Sequence, residues 1–250
     1  MVYVNEKLIG FILTAYIADK ISYTDIGFWS QIIYFSGLYN SLAGLNISNG
    51  IISIVPRIKT NIEKSELIFK SGLLLSFIGF TTGLFLLLIK GEISNIFFDK
   101  NINFNILFII LLIGFCEMIL EFILFSFRSV NNFNFSNYIL TLKILPRIFV
   151  FIGAYNKDVN LMIYIYGSTC LLSLLTILLK LYLSKKNNIL FIIKQRKKNM
   201  SLFGPRPYLK SLFIISKKSI FATFTASLFF FFARSIILSQ IGLRGEGEFS

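Results

Sequence analysis

The chain has 250 residues, 55% of them hydrophobic and 16% aromatic, with a mean hydropathy of +0.74 and a formal charge of +13. So large an apolar fraction exceeds what the core of a soluble domain needs and excludes a soluble globular fold. There is no histidine, the commonest transition-metal ligand and general base, and no GxxxxGK[ST] phosphate loop. The expectation is therefore a protein that is not an enzyme, with no catalytic residues, no metal and no cofactor.

Windows of about 20 apolar residues mark candidate membrane spans. In chain order they run from Val2 to Ala18, Gly27 to Ile47, Leu67 to Ile89, Phe104 to Phe127, Tyr138 to Ala154, Val159 to Leu183 and Phe213 to Gln240. The sequence thus predicts an all-α membrane protein of about seven transmembrane helices. In the first span Asn5, Glu6 and Lys7 leave only Leu8 to Ala18 uninterrupted. Either that helix starts upstream or those polar groups face protein.

Lysine and arginine collect in alternate connections. Arg57, Lys59 and Lys64 follow the second span and Arg128 follows the fourth, whereas Lys90, Lys100 and Lys157 on the other side are offset by Glu92, Asp99 and Asp158. The positive-inside rule then puts the N-terminus and the basic connections in the cytoplasm. That side meets anionic membrane lipids, so the positive charge needs no nucleic-acid partner. Cys116 and Cys170 fall within spans and act as small apolar residues.

Residues 184–212 form the longest connection, "SKKNNILFIIKQRKKNMSLFGPRPYLKSL", basic at both ends with an apolar centre. It is expected to be an amphipathic cytoplasmic linker, broken by Gly204, Pro205 and Pro207, resting on headgroups or docking a partner. Residues 1–183 precede it as a six-helix lobe.

Shifting the chain by 220 positions pairs Phe11 with Phe231, Ile17 with Ile237, Ile21 with Ile241, Gly27 with Gly247 and Ser30 with Ser250. The seventh span therefore resembles a second copy of the first. Six crossings separate the copies, so both run in the same direction, as in parallel halves related about the membrane normal.

Charges inside spans are costly unless paired or wetted. Glu117 and Glu121 lie four apart on the fourth span, and Lys143 and Arg147 lie four apart on the fifth. A hairpin turning near Phe133 would set Glu121 level with the interval between Lys143 and Arg147. The expectation is an intramembrane ion-pair cluster, either tying two helices together or lining a cavity.

Four stretches carry a family likeness: "IADKISYTDIGFWSQIIYF", "LAGLNISNGIISIVPR", "FRSVNNFNFSNYILTLKILPRIFVF" and "ARSIILSQIGLRGEGEFS". They resemble the polysaccharide flippases of the multidrug/oligosaccharidyl-lipid/polysaccharide exporter superfamily, specifically O-antigen flippases of the Wzx type. The resemblance implies a MATE-like fold of two six-helix lobes around a cavity that alternates between faces of the bacterial inner membrane. Residues 213–250 would then be the first helix and turn of an incomplete second lobe, which marks the chain as truncated and unable to transport alone.

The implied substrate is an undecaprenyl-diphosphate-linked oligosaccharide, with other polysaccharide-assembly membrane proteins as possible partners. Arg234, Arg147 and Lys143 are the candidates for its diphosphate. Arg234 could alternatively snorkel to the outer surface. Gln31, Asn40 and Asn46 could meet sugar hydroxyls or serve interhelical contacts. Glu117 and Glu121 would carry proton or sodium coupling. The alternatives are a related exporter of drugs or other lipids, and a membrane glycan polymerase or acyltransferase, which short outer loops disfavour.

Overall fold

The computed structural model describes residues 2–98 and 101–183 together with Tyr208, Ser211, Leu212, Ile214, Ser216, Thr225 and Phe229; for residues 2–9 and 11 it describes the backbone alone. The described residues are helical with no strands. The expected seventh span, Phe213 to Gln240, lies almost wholly outside them, as does most of the 184–212 linker.

Helix α1 (Val2–Lys20) is followed by α2 (Tyr23–Gly44). Ser22 caps α2 by accepting the Asp25 N–H at 3.3 Å while its hydroxyl donates to the Asp25 carboxylate at 2.8 Å. This satisfies one of the N–H groups that a helix start leaves open. Leu45 and Asn46 then both take left-handed conformations, φ 44° and 50°. Two such residues in succession break the helix where the sequence alone continues apolar.

A short helix, α3 (Ile47–Ile54), begins there and buries Ile47, Gly50, Ile51 and Ile54 on one face. A 3-10 turn at Val55–Arg57 uses Pro56 where a missing N–H costs nothing. Thr60 and Glu63 form a reciprocal cap for α4 (Asn61–Leu88). After a break at Ile89, α5 (Lys90–Phe98) turns back over α2, packing Phe98 edge-on against Phe28 and Phe35.

The centre of the molecule is α6 (Phe104–Ser129), which packs against α2, α3 and α4. It also packs on the hairpin of α7 (Phe133–Tyr155) and α8 (Val159–Leu183). Close approach is set by glycine. A Cβ on Gly114 would lie 2.6 Å from Tyr39 Cδ1, and one on Gly79 would lie 2.5 Å from Met118 Cε. Gly72 meets Phe122 in the same way, whereas Gly10 has no described neighbour within 4 Å. Gly79 and Gly83 form a GxxxG pair, and the Tyr39 hydroxyl donates to the Gly79 carbonyl at 2.7 Å.

Four helices, α4, α6, α7 and α8, are long and apolar enough to cross a membrane. The chain is all-α and of membrane-spanning character, but the expected count of seven is not reached among the described residues. Helices α1 and α2 match the first two expected spans in position yet carry too much polarity to join the four: Asp25, Gln31 and Asn40 lie on α2.

Candidate functional site

Glu117 and Glu121 stand one turn apart near the middle of α6, both half-buried. Each receives a hydrogen bond, from a different neighbour. Asn40 on α2 donates its Nδ2 to Glu121 Oε2 at 3.1 Å. Tyr166 on α8 donates its hydroxyl to Glu117 Oε1 at 2.7 Å. A carboxylate in an apolar span is tolerable when such donors replace water.

The ion-pair expectation is corrected on this point. No ion pair joins Glu121 to Lys143 among the described residues, and the carboxylate bonds to α2 instead. The cause is the hairpin register. Helix α6 ends at Ser129 and α7 starts at Phe133, so the turn centres on Asn131, two residues before the expected Phe133. The α7 position level with Glu117 is then Leu145, between Lys143 and Arg147. This register sets the cations about one turn further along α6, level with Glu117 rather than Glu121. Consistently, Glu117 and Arg147 act electrostatically on Tyr166, and all three charges, Lys143 included, act on Cys170.

Below Glu121 lies a polar cleft of about 180 Å³ lined by Asn40, Ser41, Asn46, Ser48, Asn49 and Glu121 with Gly44. The left-handed corner at Leu45 and Asn46 builds it, because it swings α3 around so that Ser48 and Asn49 face the end of α2. Within it Asn49 Nδ2 donates to Asn46 Oδ1. The buried face of α3 meets α6, and a Cβ on Gly50 would lie 2.7 Å from Leu212 Cδ1. The cleft wall is therefore braced from behind.

Of the residues expected from the sequence, Asn40 and Glu121 share this cleft. Glu117 accepts instead from Tyr166 on α8, and Lys143 and Arg147 are not among the cleft residues. Gln31 is buried on α2, 3% exposed, and is not among the cleft residues. Arg234 lies outside the described residues. Tyr166 was not anticipated. Its signal was a tyrosine within an otherwise apolar span, since a buried phenol needs a partner. It also packs edge-on to Trp29, with ring centres 5.8 Å apart. Among the described residues no three Cys, Asp or Glu side chains are grouped as a metal ion would require.

Chemically, the cleft offers carboxamides, hydroxyls and one carboxylate, all of which can donate to or accept from hydroxyl-rich ligands. No protein-family model matches the chain, no curated protein matches its sequence, and no solved structure matches its fold.

Proposed function

We propose that the chain belongs to a flippase that moves an undecaprenyl-diphosphate-linked oligosaccharide across a bacterial inner membrane. The observation that carries this reading is the polar cleft at the α2–α3 corner, where Asn40, Asn46, Asn49 and Glu121 converge in a chain otherwise built of apolar helices. An ionisable residue inside a membrane segment, as Glu121 is on α6, marks a substrate or ion pathway by default. Carboxamides beside a carboxylate suit sugar hydroxyls, which both donate and accept. Lys143 and Arg147 on α7 suit the diphosphate. The resemblance of the four sequence stretches to O-antigen flippases supports the same substrate.

The test is binding to the purified chain in lipid nanodiscs. Undecaprenyl-diphosphate oligosaccharide should bind more tightly than undecaprenyl phosphate without sugar. Asn40→Ala should weaken the first by about fivefold, the worth of one net hydrogen bond of ~1 kcal/mol, and leave the second unchanged. Equal affinity for the two lipids would reject a glycan-reading cleft. Preferential binding of a cationic dye such as ethidium would move the reading to a drug exporter.

A further inference from the structure

At the other half of the bundle, where α4 ends and α6 begins, a second depression of about 200 Å³ runs between these two helices. Tyr39 and Gly83 form its floor, Phe80 and Leu84 one wall, Phe108 the other, and Leu87 lies nearest the end of α4. Phe80, Leu84 and Phe108 are exposed at 61%, 47% and 49%, so they stand up as ridges beside the glycine floor. Among the described residues lining the groove the one polar side-chain atom is the Tyr39 hydroxyl, which donates to the Gly79 carbonyl. The groove thus offers dispersion contacts on three sides and little else.

Three positions beyond Leu87, past the break at Ile89, stands Lys90 at the start of α5. It is half-buried and has no ion pair or hydrogen bond among the described residues. Glu92 is two positions on, a spacing that does not bring side chains face to face on a helix. The last residue of α4 that lines the groove is thus followed, three positions on, by a lysine with no side-chain partner among the described residues.

We propose that this groove binds one acyl chain of an anionic glycerophospholipid whose phosphate sits at Lys90. Charge complementarity selects the occupant: a neutral lipid would fill the groove and leave the ammonium unmatched, whereas an anionic headgroup satisfies both ends at once. Leu175 on α8 is exposed at 51% and is not among the groove residues. The site is independent of the α2–α3 cleft and of any transport reading.

Native mass spectrometry of the detergent-purified chain with added phosphatidylglycerol tests this. The wild-type chain should retain one phosphatidylglycerol and should not retain diacylglycerol, which has the chains without the phosphate. Lys90→Gln, a surface change, should lower retention about fivefold, as expected for one lysine near an anionic headgroup. Gly83→Leu, which fills the floor, should abolish it, while Leu175→Phe on the α8 face should change nothing. Equal retention by the wild type and Lys90→Gln overturns the proposal, as does diacylglycerol binding as well as phosphatidylglycerol. If Gly83→Leu fails to fold, Lys90→Gln and the diacylglycerol comparison still decide.

Discussion

Ser173 on α8 donates its hydroxyl to the Leu142 carbonyl on α7 at 3.1 Å. Four residues after Leu142 stands Pro146, inside the helix and without an N–H to give. The carbonyl that proline leaves open is therefore closed from the neighbouring helix, which is how spanning helices tolerate such breaks. Ser173→Ala should cost about 1 kcal/mol, in the range of interhelical hydrogen bonds in membranes. In a Pro146→Ala background, where residue 146 supplies the N–H, the same change should cost little. An equal cost in both backgrounds, measured by reversible unfolding in detergent, rejects the link.

A second cycle concerns Asn40 and Glu121. Asn40→Ala and Glu121→Ala should couple by about 1.5 kcal/mol, as for a hydrogen bond to a charged group. Glu121→Ala with Lys143→Ala should be additive within about 0.5 kcal/mol. Stronger coupling to Lys143 than to Asn40 would restore the ion pair across the α6–α7 hairpin.

Two glycines give opposite expectations. A Cβ on Gly114 would stand 2.6 Å from Tyr39 Cδ1 and 2.9 Å from the Ser36 carbonyl, which is backbone and cannot swing aside. Gly114→Ala should therefore destabilise by about 1–3 kcal/mol, as overpacking does. A Cβ on Gly37 meets nothing within 4 Å, so Gly37→Ala should be neutral or stabilise by up to ~1 kcal/mol. Thermal unfolding of the two purified variants separates them, and matching midpoints would contradict the packing of α2 on α6.

Much of this was legible in the sequence, and the failures have physical causes. The expected span Val159 to Leu183 coincides with α8, and Phe104 to Phe127 ends two residues short of α6. Continuous apolarity marks such helices regardless of what they touch. Helix α3 was hidden because the break at Leu45 falls on a residue that rarely takes a left-handed conformation, immediately after a glycine that could have taken it more easily. Helix α5 was hidden because Phe97 and Phe98 gain their meaning from Phe35, far earlier in the chain. For the site, spacing alone placed Glu117 and Glu121 on one face. Their partners depended on where the hairpin turned, and a shift of two residues redirected the cations. Asn46, Ser48 and Asn49 became a wall only through the hidden corner.

Orientation yields a further prediction. In a chain with Cys116 and Cys170 replaced by alanine, a cysteine at Lys59, before α4, should be protected from a membrane-impermeant thiol reagent in intact cells. A cysteine at Lys157, between α7 and α8, should label readily, because an odd number of crossings separates the two points and lysine and arginine favour the cytoplasm around Lys59. The reverse pattern would invert the topology.

Tyr39 and Asn40 are neighbours in sequence, yet one floors the apolar groove and the other lines the polar cleft. Each residue of an α-helix is rotated about 100° from the last. The boundary between the two environments therefore falls between consecutive codons. Substitutions elsewhere on α2 leave that boundary in place. A single inserted residue between Phe35 and Tyr39 would turn the remainder of the helix by one step, carrying the phenol off its glycine and Asn40 off its carboxylate together. The gene should accordingly accept many point changes in this stretch and almost no change in its length.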